Sequence, residues 1–227
     1  MKKLLTTTLL SAILASLSFA AGPDDPLYTK VTIDTLEMQD NAEKALSWDT
    51  NIWIGHDLNK LYIYTEGEKP KDESSSSENQ LVYSRAIASY WDVQLGIGYD
   101  KTDTENQTWG VVALQGLAPY FFETRTALLV GEDGNLGLRF ALEYEALLTQ
   151  KLILTPSFET DLYTKDTKKL GVGKGLSSVV LGARLRYEIR REFAPYIGVE
   201  WSKNFGNTEN FSPLDEVYAV AGVRIWF

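Results

Sequence analysis

The chain contains no cysteine, and beyond residue 20 it contains one methionine, Met38, and one histidine, His56. No disulfide framework can form and no thiolate can hold a metal, while a lone imidazole without partners does not make a transition-metal centre. There is also no run after residue 20 near the roughly 18 consecutive apolar residues that a membrane-spanning helix needs. Glycine-rich phosphate loops and paired-histidine zinc motifs are missing too. Catalysis by a nucleophile and base would have to be built on His56 with a serine brought to it by the fold, since Asp57, its neighbour, points to the opposite face of an extended segment.

The residues that are present begin with an export signal. Residues 1–20 start with Lys2 and Lys3, continue through an apolar stretch interrupted by Thr and Ser, and end in small residues at Ser18 and Ala20. They read as a signal peptide cut after Ala20, followed by a short periplasmic lead, residues 21–27, with two prolines. Cleavage removes two lysines and no acid, leaving 20 basic and 31 acidic residues and a net charge of −11. Nucleic acid is thereby excluded as a partner of the overall field.

Residues 28–227 alternate. From Val179, the positions Val179, Leu181, Ala183, Leu185 and Tyr187 are apolar, while Gly182, Arg184, Arg186 and Glu188 between them are small or ionic. Leu136–Tyr144 and Leu152–Tyr163 repeat this two-faced pattern, and twelve such strands can be placed along the chain, ten being the nearest alternative count. The 6 Trp, 12 Tyr and 9 Phe are abundant, and several, including Trp91, Trp109, Phe121, Tyr187, Trp201 and Phe227, fall near strand ends, where an interfacial girdle is expected. Short connections (HDLNK, SY, APY, ALLTQ, RREFA) alternate with longer polar ones, among them the serine-rich residues 67–79, which read as a solvated loop. GEDGN is the short exception among the latter. An even strand count with short turns on one side predicts an all-β fold, an antiparallel transmembrane β-barrel in the bacterial outer membrane, in contact with its lipid and with both termini periplasmic. A soluble β-sandwich shares the period of two and is the alternative fold.

Alternation assigns Asp92, Glu123, Arg125, Arg139, Glu143, Glu145, Glu159, Asp161, Arg184, Arg186, Glu188, Glu200 and Arg224 to the lumen. Mixed charges facing one another across a narrow barrel are expected to pair, because an unpaired charge in a confined space is costly. The surplus acids, chiefly Glu143, Glu145, Glu159 and Asp161, offer hard oxygen ligands to a passing cation; with Met38 and His56 they are the candidate metal ligands, weakly selective because carboxylates suit transition metals less well than imidazole does. Leu185→Arg is expected to damage folding, and Arg184→Leu to alter mainly the lumen.

The stretches SWDTNIWIGHDLNKLYIYTEGE, LVYSRAIASYWDVQLGIGYD, LQGLAPYFFE, ALEYEALLTQKLILTPSFETDLY, GLSSVVLGARLRYEIRREFAPYIGVEW and VAGVRIWF resemble the outer-membrane copper resistance protein B family over about residues 45–227. RLRYEIRREFAPYIGVEW is the most specific of them. The resemblance implies a non-enzymatic barrel that moves or helps move copper ions, without a cofactor, alongside a periplasmic multicopper oxidase or copper carrier. Family members commonly carry a long Met- and His-rich segment before the barrel; here six residues, AGPDDP, separate the expected cleavage site from Leu27, and a second glycine of the family stands where this chain has His56. A narrow passive pore or structural barrel with no metal role is the alternative function. A lipid-acting enzyme built on His56 and a soluble ligand-binding barrel are the more distant ones.

Overall fold

A computed structural model of the chain describes residues 25–41, 44–71, 75–102 and 105–227, so the signal peptide and residues 21–24 of the lead lie outside it. One antiparallel sheet runs through β1 (Tyr28–Gln39), β2 (Leu46–Gly55), β3 (Asn59–Lys69), β4 (Ser76–Ala88), β5 (Trp91–Lys101), β6 (Asn106–Ala118), β7 (Phe122–Gly131), β8 (Leu136–Glu143), β9 (Ala146–Leu147), β10 (Leu152–Tyr163), β11 (Gly175–Tyr187), β12 (Phe193–Asn204) and β13 (Asp215–Trp226). Apart from β8 and β9, each strand pairs with its sequence neighbours, and β13 pairs with β1, closing the sheet. Segments β8 and β9 both pair with β10 and form one stave, so the barrel has twelve.

The break in that stave has a local cause. Tyr144 donates its backbone N–H to the carbonyl of Pro156 at 3.1 Å, but proline has no N–H to return, and the ladder lapses at Tyr144 and Glu145 before resuming at Ala146. A second irregularity lies in β1, where one extra residue is inserted between Ile33 and Leu36 relative to β13. This bulge reverses the facing of everything after it.

The five short turns lie at one end, together with both chain ends, where Val31 and Phe227 exchange backbone hydrogen bonds of 2.8 and 2.9 Å. Longer connections occupy the other end, and the last of them contains the helix α1 (Gly206–Phe211). Strands reach further toward that end than side-chain patterning suggests. Gly67–Lys69 and Ser76–Asn79, expected to be solvated loop, are paired strand, with Glu66 opposite Glu78 and Gly67 opposite Ser77. A strand projecting beyond the hydrocarbon still has to satisfy its backbone by pairing, yet needs no apolar face, so its composition is that of a loop.

Apolar side chains cover the outside. Ile197 is 65% exposed, Ile97 59%, Val199 56% and Leu95 54%, in strands where the alternating residues are enclosed. So broad an apolar surface is what lipid contact requires and what a soluble sandwich avoids. The interior is not wholly polar, however: Val82, Trp109, Val111, Ala113, Ala127, Leu129 and Tyr163 pack together inside the barrel. Trp109 is 1% exposed and its indole donates to Asp100 at 2.7 Å, so it belongs to the interior and not to the interfacial girdle. Both faces of β6 are apolar there, with Val112 and Leu114 outward, so alternation alone leaves the phase of this strand open.

Candidate functional site

The candidate site is the lumen. Its ionic side chains fall into clusters that join separate staves across the lumen and a set of carboxylates left open to water.

The tightest cluster joins β11, β12 and β1. Arg184 donates through Nε and Nη2 to the two oxygens of Glu37 at 2.9 and 2.7 Å, and through Nη2 to Glu200 at 2.7 Å, while the Tyr218 hydroxyl donates to the other oxygen of Glu200. Two-pronged donation to one carboxylate is the geometry a guanidinium fork favours, and it suits an acid whose side chain is 1% exposed. Room for it comes from glycine: a Cβ on Gly222 would lie 2.6 Å from the Cβ of Glu37, and one on Gly182 would lie 2.8 Å from Nη1 of Arg184. Toward the turns, Glu145 accepts from Arg186 at 2.6 Å and Arg224 at 3.4 Å, Arg224 also binds Asp34 at 3.0 Å, and Glu188 lies 4.0 Å from Arg186. Toward the longer connections, Arg139 gathers Glu78, Asp100 at 2.7 Å and Asp161 at 3.9 Å.

A neutral network lies between these. Tyr64 donates to Gln115 at 2.6 Å, Gln94 donates to Tyr64 and Gln115 at 2.9 and 2.8 Å, and Arg125 donates to Gln80 at 2.5 Å and Gln94 at 3.3 Å with its guanidinium 4.5 Å from the Tyr64 ring centre. Tyr62 stacks on Tyr64 with ring centres 5.3 Å apart.

Two cavities occupy what is left, about 320 Å³ and about 660 Å³. Asp34, Asp49, Glu66, Glu78, Glu143, Ser157 and Glu159 line both, so the cavities meet at an acidic waist. Asp34 and Glu78 are committed to arginines, whereas Asp49, Glu66, Glu143 and Glu159 have no Lys or Arg partner within ion-pair distance among the described residues. Glu66 and Glu159 are exposed to the lumen. Unpaired carboxylates at such a place require water or a passing cation to solvate them.

Of the residues singled out from the sequence, Glu143 and Glu159 stand at this waist, Glu145 and Asp161 sit in the arginine clusters, Arg125, Glu123 and Asp92 line the larger cavity, and Arg139, Arg184, Arg186, Glu200 and Arg224 carry the ion pairs. Met38 is not among them: it follows the β1 bulge, faces outward and is 64% exposed. The same bulge turns Glu37 inward. His56 lies in the β2–β3 turn with Nδ1 3.1 Å from the carbonyl of Asp25, remote from the waist. No three His, Asp or Glu side chains among the described residues converge closely enough to hold a metal ion. Asp49, Glu66 and Asp100 were accessible by extending the alternation of SWDTNIWIG, LYIYTE and WDVQLGIGYD, whereas Glu78 lay in a stretch with loop composition.

Comparison with known proteins agrees with the barrel. The family model of the copper resistance protein B precursor (CopB) matches residues 27–227. Copper resistance protein B of Escherichia coli is 41% identical over 211 residues, 90% of this chain and 71% of that protein, and the homolog of Pseudomonas syringae pv. tomato is 36% identical over 210 residues, again 90% and 71%. Among solved structures, the NanC porin superposes with a TM-score of 0.56 at 11% identity over 87% of this chain and 99% of its own, and the KdgM porin with 0.51 at 12% identity over 88% and 99%. These two share the fold of an outer-membrane barrel. At this coverage and identity, the chain belongs to the copper resistance protein B family.

Proposed function

We propose that this barrel carries copper ions across the outer membrane through its lumen, as a non-enzymatic component of copper resistance. The observation that carries the reading is the acidic waist: Asp49, Glu66, Glu143 and Glu159, lining both cavities and without a basic partner. Carboxylate oxygens attract cations and exclude anions, and rings of them are a common means of cation selection in pores. Because the acids do not converge on one point, they suit an ion that keeps part of its water and moves from one to the next, which favours passage over storage. With the short turns and both termini on the periplasmic side, the ion would be exchanged there with a soluble copper carrier or oxidase.

Deletion of the gene should change copper tolerance and cell copper content, and the wild-type gene should restore both, whereas a gene carrying Glu66→Gln and Glu159→Gln should restore them only in part. Unchanged tolerance on deletion would favour the second reading, a narrow pore with no metal role, which draws on the same lack of ligand convergence.

A further inference from the structure

Five arginines project into the lumen, and four of them, Arg139, Arg184, Arg186 and Arg224, are bound to carboxylates. Arg125 differs. Its donors go to the amide oxygens of Gln80 and Gln94 and its plane rests on Tyr64, all neutral partners, so it is held rigidly in place without losing its charge. Gln94 is in turn fixed by Tyr64 and Gln115. The cavity that Arg125 lines also contains Asp49, Glu66, Glu143 and Glu159, so a guanidinium with no carboxylate partner faces acids with no basic partner among the described residues, while Lys60, on the same cavity, lies 4.0 Å from Asp92.

The geometry points to Arg125 as the residue that sets how strongly the waist holds a cation and how sharply it rejects anions. This inference rests on the lumen being a cation path. A waist of four free carboxylates alone would bind a doubly charged ion tightly and release it slowly, and conduction needs binding weak enough to leave. A fixed guanidinium beside the acids opposes the cation's stay and still leaves the local balance negative. Glutamines in place of acids around Arg125 preserve that effect, because a carboxylate at Gln80 or Gln94 would cancel it.

The test is ion conduction by the purified barrel in a planar lipid bilayer under a potassium chloride gradient, comparing wild type with Arg125→Gln, Arg125→Lys and Gln80→Glu. Retention of heat-sensitive gel mobility reports folding. Wild type should prefer potassium over chloride. Arg125→Gln should move the reversal potential further toward that of potassium and lower the copper(II) concentration that halves the potassium current by about tenfold, the order expected when one charge near a divalent ion is removed. Gln80→Glu, which neutralises the guanidinium without removing it, should shift both readings the same way, and Arg125→Lys should stay near wild type. Unchanged reversal potential and copper block in Arg125→Gln and Gln80→Glu, with wild type cation-preferring, would overturn the role of Arg125 alone. A wild-type barrel that passes no current, or prefers chloride, would overturn the cation path and this inference with it.

Discussion

Glu37 and Glu200 are 1% and 10% exposed at their side chains and share the guanidinium of Arg184, while a few residues away around the same lumen Glu66 and Glu159 stand exposed with no basic partner. The two groups are chemically identical and physically opposite. A buried carboxylate survives only where a fork of donors replaces its water, so the Arg184 cluster ties β1, β11 and β12 together. A carboxylate without donors survives only where water remains, so the waist is the wet part of the lumen. In the reading proposed above, what separates the structural acids of this barrel from those left for ion passage is the presence of an arginine partner, not residue type or strand position.

Breaking the structural group should have the largest effect. Arg184→Leu leaves Glu37 buried without its partner and should cost about 3–5 kcal/mol in denaturant unfolding from detergent; a loss below about 1 kcal/mol would remove the distinction between the two groups. This differs from the expectation that Arg184→Leu alters mainly the lumen, because the burial of Glu37 cannot be seen until the β1 bulge is known. Leu181→Arg, on the outer face in mid-strand, should cost about 2–4 kcal/mol in lipid bilayers, and a cost of zero would show that the outer face does not meet hydrocarbon. Glu66→Gln with Glu159→Gln should change stability by no more than about 0.5 kcal/mol while reducing the preference for cations in bilayer recordings. If these two substitutions unfold the barrel, the waist is structural after all. His56→Ala should be the smallest, with stability within about 0.5 kcal/mol and copper tolerance unchanged, since among the described residues its ring has polar contacts with the backbone of Asp25 and that residue's carboxylate at 3.4 Å.

The fold was legible wherever large ionic and aliphatic groups alternate, as in β8, β10 and β11, because a period of two with such contrast fits only a two-sided strand. It was less legible in three places, each for a separate reason. Along β6, Trp109, Val111 and Ala113 face inward and are as apolar as the outward Val112 and Leu114, so composition carries no phase. In β1 the bulge between Ile33 and Leu36 leaves no mark in composition, so neither the outward turn of Met38, a candidate metal ligand, nor the inward turn of Glu37 could be read. At the end away from the turns, Glu78 lies in a paired strand whose neighbours are Ser and Asn, residues of loop composition, and its service with Asp100 to Arg139 appears only when β4, β5 and β8 are brought together. For the site, alternation reached individual lumen residues but not their partners. Which acids are clamped and which are free depends on contacts such as Arg184 with Glu37, 147 residues apart in the chain.

The central claim is that the free acids of the waist carry copper. It is tested most directly by copper(II) entry into liposomes containing the purified barrel and an internal copper-sensitive dye, comparing wild type with a variant carrying Asp49→Asn, Glu66→Gln, Glu143→Gln and Glu159→Gln that retains folded gel mobility. Entry should be fast through wild type and fall to the rate of protein-free liposomes in the variant; equal rates through both would contradict the account.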